Sequence, residues 1–305
     1  MRYVAGTGLL NCDLLYSGMP GIPDEGTEIY SQGFEMQLGG GTPAEMINLS
    51  KLNVPSSLAT FIGNDWFSAF AKNCLDESGV RYENLYEGNG RPVTITSVII
   101  TENDRTFVSY VDKPEINDKI KEQIYQLHRD AAIIKVTPAL SDVYRRIKVE
   151  RPEVKLVLDV GWSEDLSLEM LEKDLEIADF FTPNCKEALK ITGTDTPEAA
   201  AEVLEKYFEY SIVKLGSKGC LLRKDGKNSY IPPLPDVKPV DATGAGDAFL
   251  AGFLYGLYHE RSISDCICFG NAMGGRCVEK VGCLSSKISE EQLIRDSETI
   301  KALMR

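Results

Sequence analysis

The stretch Asp241-Ala242-Thr243-Gly244-Ala245-Gly246-Asp247-Ala248-Phe249 decides how this chain is read. Thr243 to Gly246 is a turn of small residues. From Phe249 the apolar or small positions recur at Gly252, Phe253, Gly256 and Leu257, the i, i+3, i+4, i+7, i+8 spacing of a buried helix. A glycine turn therefore opens a helix. The amide N–H groups of Gly244, Ala245 and Gly246 are expected to project from its N-terminus, where unpaired amides and the helix dipole favour an anion such as phosphate. Asp247 falls in the first turn beside that anion, where a carboxylate can take a proton from an attacking hydroxyl. The competing role for Asp247 is that of a helix cap. Gly252 and Gly256 each cost about 1 kcal/mol relative to Ala inside a helix, so another element is expected to pack closely against this face.

Asp-Ala-Thr-Gly-Ala-Gly-Asp-Ala-Phe resembles the C-terminal signature of the PfkB, or ribokinase-like, family of carbohydrate and nucleoside kinases. The resemblance implies an α/β fold of three layers, α/β/α, with a mainly parallel central sheet and a small β lid. It implies a single domain over residues 1–305, with lid segments at about 12–38 and 91–112 and a homodimer contact through the lid. The implied activity is ATP-dependent phosphorylation of a hydroxyl on a small sugar or sugar-like acceptor, with Mg²⁺ as cofactor and a nucleoside as the alternative acceptor. Asp247 becomes the general base, and the amides of Gly244, Ala245 and Gly246 the anion hole.

Further positions carry the resemblance. Asn11 and Asp13 are read as lying in a loop beyond the first strand, and Asp13 resembles the family's binder of acceptor hydroxyls; without that context they make a turn. Gly39-Gly40-Gly41 opens a second helix and resembles the N-terminal Gly-Gly signature at the acceptor site. The Asn that commonly contacts sugar hydroxyls is replaced here by Ala44, and an Asp-x-Asn-x-Arg pattern is absent at 159–163, which disfavours sugar acids. Asn184 and Glu187 stand one helical turn apart. Their spacing suits either a capping box or the family motif that orders Mg²⁺, its waters and the phosphates. Lys214 and Gly216 resemble the nucleotide loop, and Asn271 the adenine pocket. Asp241, Thr243, Gly282 and Ser286 match positions where relatives build a site for a monovalent cation such as K⁺.

Composition bounds the alternatives. The 305 residues carry 46 Asp and Glu against 33 Lys and Arg, a formal charge of −13, which argues against a nucleic-acid footprint. Eight cysteines without a C-x-x-C pair, and only two histidines, make a zinc site improbable. No signal-peptide pattern or membrane-length apolar stretch occurs, so a cytoplasmic protein without membrane partners is expected. Gly6-Thr7-Gly8 invites a nicotinamide-dependent oxidoreductase, but Pro20, Gly21 and Pro23 leave no room for the helix such a motif requires. A binding protein that has lost turnover is the other rival. Ala44 supports it and the intact Asp247 opposes it.

From Ala131 onward apolar strands alternate with helices: strands at 131–136, 155–160 and 179–182, helices near 141–148 and 166–177. Such alternation predicts a parallel sheet covered on both faces. Strands are also expected at 94–100 and 106–111 around Glu102-Asn103-Asp104-Arg105, and Asp225-Gly226 is expected to turn a hairpin.

Overall fold

The structure, a computed structural model, describes residues 2–102 and 105–304. The chain begins with β1 (Val4–Thr7), β2 (Asn11–Met19) and β3 (Gly33–Gly39) and enters α1 (Gly41–Lys51). Next come β4 (Ser56–Thr60), α2 (Trp66–Ser78), β5 (Arg81–Asn84), β6 (Thr94–Thr101) and β7 (Arg105–Tyr110). The alternating part follows as α3 (Asp118–His128), β8 (Ile133–Val136), α4 (Ser141–Glu150), β9 (Lys155–Leu158), α5 (Leu168–Leu175), β10 (Phe180–Phe181), α6 (Cys185–Thr192) and α7 (Pro197–Leu204). The last elements are β11 (Ser211–Lys214), β12 (Cys220–Lys224), β13 (Lys227–Ile231), α8 (Ala245–Tyr258), α9 (Ile263–Cys277) and α10 (Glu290–Leu303).

Six strands pair in the order β10-β9-β8-β1-β4-β5, all in parallel. Consecutive residues of these strands bury on opposite faces: Val4, Ile133 and Val157 join the core beneath α1, α8, α9 and α10, while Ala5, Ile134 and Leu158 join the core beneath α3 to α7. Burial on both faces explains why the strands read as unbroken apolar runs. The antiparallel sheet β11-β12-β13 is joined to this one through a parallel bridge between Asn184 and Lys214. Asp225 and Gly226 both take positive φ, 50° and 74°, as a two-residue hairpin turn requires.

A separate four-stranded sheet has the order β3-β2-β6-β7. Its strands come from the segments 11–39 and 94–110, and one face looks away from the body. The expected turn residues Asn103 and Asp104 lie outside the described residues. Asn11 and Asp13 correct the sequence reading here: they sit on β2, paired with Gly39 and Gln37 and with Thr94 and Thr96, not in a loop. The short polar residues that suggested a turn are side chains turned inward at the start of a strand.

The glycines of α8 do mark a close approach. A methyl group on Gly252 would lie 2.4 Å from the carbonyl oxygen of Phe269, and one on Gly256 would lie 2.8 Å from the Cα of Cys266. The backbones of α8 and α9 are thus in contact, which fixes the direction of α8 and of the turn that starts it. No helix among the described residues is long and apolar enough to cross a membrane.

Candidate active site

The turn before α8 is held from both sides. Val240 N and Asp241 N donate to the carbonyl of Val278 at 2.7 and 3.1 Å, tying its entry to the end of α9. Oδ1 of Asp241 accepts from Thr243 N at 2.9 Å, Thr243 Oγ1 at 2.8 Å and Arg105 Nη1 at 2.7 Å. Its Oδ2 accepts from Gly282 N at 2.9 Å. Burial would raise the Asp241 pKa, but these bonds and the Arg105 charge outweigh it and hold the carboxylate below its usual range. Gly244 then takes φ 74°, and a Cβ there would lie 2.0 Å from the Cβ of Cys283. Only glycine fits on both counts.

The first intrahelical bond of α8 runs from Ala248 N to Gly244 O at 2.8 Å. The expected set of amides, Gly244 to Gly246, is revised. Ala245 N turns back to Ala242 O at 3.3 Å, so Gly246 and Asp247 are the residues whose N–H groups helix geometry leaves facing outward. Gly244 occupies the N-cap and no side chain caps this helix, so Asp247 does not act as the cap.

Charge gathers under this turn. Asp247 is pushed up to about 6, first by burial and then by Asp159, with Lys214 and Lys135 pulling down and Asp13 adding a smaller upward push. Lys214, at the end of β11, bonds Asp159 Oδ1 at 2.8 Å, and Thr182 Oγ1 donates to the same oxygen at 2.9 Å. Burial opposes the lysine charge, yet Asp159, Glu187 and Asp247 together raise its pKa. Its Nζ would lie 3.6 Å from a Cβ on Gly246. Lys214 therefore sits at the centre of the site beside Asp247, and Asp159, to which the sequence reading gave no role in the site, is its partner.

Asp13 faces the same region from β2. Its Oδ1 accepts from Asn11 Nδ2 at 2.8 Å, and Asn11 Oδ1 accepts from Thr96 Oγ1 at 3.1 Å. Burial pushes Asp13 up to about 6; the Asn11 bond lowers it and the Asp241 charge raises it. Gly39 is packed so closely on this carboxylate that a Cβ would come within 2.3 Å of Oδ2. Gly40 (φ 97°) and Gly41 (φ 24°) turn the chain from β3 into α1.

Other expected residues are placed as follows. Asn184 and Glu187 form the capping box: Glu187 N donates to Asn184 Oδ1 at 3.0 Å and Asn184 N to Glu187 Oε2 at 2.8 Å. One oxygen of Glu187 is thus engaged at the start of α6, and burial raises its pKa. Gly216, with φ 61°, begins the turn after β11. Asn271 donates to the carbonyls of Ile231 and Pro232 at 3.2 and 2.8 Å, tying α9 to the end of β13. Ser286 is not among the groups that bond Asp241.

The reading from sequence missed Glu45 in α1. It is 1% exposed, and its Oε2 has no hydrogen-bond partner among the described residues. Burial pushes it up to about 8; Lys135 pulls down, and Asp247 and Asp159 push further up. A carboxyl with a raised folded pKa carries no penalty below its ordinary value of 4.5, and stability is lost as pH rises from there to about 8. Glu45→Gln is expected to unfold at a clearly higher temperature than the parent at pH 8, where the parent must bury a carboxyl that its unfolded chain would ionise. The difference should vanish near pH 5. A gain that is the same at both pH values would show that Glu45 does not titrate in this window.

The profile of the pfkB family carbohydrate kinase matches residues 7–290 of the chain. An uncharacterized sugar kinase of Archaeoglobus fulgidus is 30% identical over 245 residues, covering 77% of this chain and 96% of that protein. A cytidine kinase of Thermococcus kodakarensis is 27% identical over 271 residues, 84% of this chain and 93% of that protein. In fold the chain is similar to Arabidopsis thaliana ribokinase complexed with ribose and ATP, with a TM-score of 0.83 at 24% identity over 98% of this chain and 99% of that one.

Proposed function

The chain belongs to the pfkB family of carbohydrate kinases, and from that premise we propose that it transfers the γ-phosphoryl group of ATP to a hydroxyl of a small sugar or nucleoside, with Asp247 as the general base. The observation that carries this reading is a raised carboxyl set one residue beyond a glycine turn, at a helix start whose outward amides face the place where a phosphate would sit. A base with a pKa about 6 is ionised at neutral pH yet basic enough to accept a proton as the acceptor oxygen attacks.

Phosphoryl transfer asks for positioning and charge stabilisation more than covalent chemistry. Asp13, braced by Asn11, orients the acceptor from β2, with the backbone of Gly39-Gly40-Gly41 lining the same side. The amides of Gly246 and Asp247 at the start of α8 hold the charge that develops on the phosphoryl oxygens. Lys214 supplies a fixed positive charge beside them, kept in place by Asp159. Gly216 and Asn271 border the nucleotide side. Mg²⁺, when bound with ATP, neutralises phosphate charge; Asn184 and Glu187 would hold it through water, which suits a cation that keeps most of its hydration shell.

The four-stranded sheet serves as a lid over the acceptor. Phe34, Met36, Val108 and Tyr110 on β3 and β7 are exposed on one face of this sheet, and we assign them to a homodimer contact between lids.

The test is ADP release with D-ribose, D-fructose, adenosine and cytidine, each with MgATP. Turnover of one or more acceptors is expected, accompanied by a dimer in sedimentation. ATP binding without turnover of any of them would favour a non-catalytic binder, and a monomer at all concentrations would remove the lid contact.

A further inference from the structure

The Asp241 carboxylate is the place where the family resemblance puts a monovalent cation, and its surroundings here do not suit one. A potassium ion needs oxygen lone pairs. The groups around Asp241 present hydrogens: Thr243 N–H and O–H and a guanidinium N–H on Oδ1, and Gly282 N–H on Oδ2. The nearby carbonyl of Thr243 accepts from Cys277 Sγ at 3.5 Å. A positive charge is already in contact, for the Arg105 guanidinium lies 2.7 Å from Oδ1, with the Asp241 side chain 5% exposed.

We propose that Arg105 is a positioning residue that supplies, from the lid, the fixed positive charge at the foot of the Gly244–Gly246 turn, so that phosphoryl transfer needs no monovalent cation. Arg105 is the first residue of β7, paired with Ile100 of β6, and its guanidinium also lies 5.7 Å from the Phe107 ring centroid. The charge is thus carried by the sheet that covers the acceptor, whereas Asp241 belongs to the turn that holds the phosphate. One contact neutralises a carboxylate that would otherwise repel the phosphate, and it ties the lid to the anion hole. A guanidinium suits this task because it is always charged and binds carboxylates directionally. The proposal rests on reading the start of α8, set by the Gly244–Gly246 turn, as the anion hole.

The experiment compares the unmodified protein, Arg105→Ala and Arg105→Lys in KCl and in tetramethylammonium chloride at matched ionic strength, using the acceptor that turns over best. The unmodified protein is expected to show the same kcat in both salts. In tetramethylammonium, Arg105→Ala should lose about 10- to 100-fold in kcat, with little change in either KM. Low concentrations of guanidinium chloride should restore part of the loss, and Arg105→Lys should retain more activity than the alanine variant. A several-fold rise of kcat in K⁺ for the unmodified protein would overturn the proposal. So would full kcat in Arg105→Ala, or a loss confined to the ATP KM, which would place Arg105 on the nucleotide.

A second readout does not depend on turnover. Thallium NMR, with Tl⁺ in place of K⁺, should show no saturable site in the unmodified protein, and a saturable site abolished by Asp241→Asn would refute the assignment. Absence of turnover with every acceptor would instead undermine the kinase reading, leaving Tl⁺ binding to decide the role of Arg105.

Discussion

Asp247→Asn lowers kcat by about 10² to 10⁴ with MgATP still bound, because the amide keeps the shape of the side chain and cannot accept the acceptor's proton. Gly244 already provides the N-cap, and no side chain caps α8, so the substitution removes no capping bond. Single-turnover rates and nucleotide titration measure the two effects separately. The unmodified protein should also show an acid limb in kcat/KM near pH 6, where Asp247 titrates. The sign follows from the role: the ionised carboxylate is the base, so the rate climbs as pH rises through about 6 and levels above it. The variant should lack this limb. Near-normal turnover in Asp247→Asn would remove Asp247 from the chemistry and leave it as part of the charged cluster with Lys214 and Asp159.

Asp13→Ala and Asp13→Asn are expected to lower kcat/KM for the acceptor by about 10² to 10³, the loss of one or two charge-assisted hydrogen bonds to hydroxyls. The KM for ATP should stay within about twofold, since Asp13 lies on the lid strand β2 and not on the elements that face the nucleotide. The asparagine variant controls for folding. It keeps a hydrogen-bonding side chain opposite Asn11 and removes the carboxylate that burial and Asp241 disfavour, so thermal unfolding should show no loss of stability. Equal losses toward acceptor and ATP would mean that Asp13 shapes the site without touching the substrate.

Much of the fold is legible because it depends on local rules. Apolar runs interrupted by helices could only become a parallel sheet buried on both faces, and β8, β9 and β10 follow that pattern. Asp225-Gly226 declares its hairpin because few residue pairs accept two positive φ values. Thr196-Pro197 declares the start of α7, whose N-cap bond runs from Ala199 N to Thr196 Oγ1. Elements with mixed signals are less legible. β5 is four residues of which none is fully buried, and β2 begins with Asn-Cys-Asp, so strand pairing was invisible until β3 and β6 flanked it.

For the site, the sequence alone determines the glycine turn, the helix that follows and the carboxylate in its first turn. Each depends on conformations that only certain residues adopt and on spacing along one helix. Only the tertiary structure decides which charges meet there. Asp13, Glu45, Lys135, Asp159, Lys214 and Asp247 come from six different elements or their ends, and the push on Asp247 up to about 6 arises from burial and from partners far apart in the chain. Arg105 and Asp241 are separated by 136 positions and meet only because the lid folds over the turn. Side-chain electrostatics falls off with distance in space and is indifferent to distance in sequence, so a list of residues can nominate a base, and the folded chain alone supplies the surroundings that set its pKa.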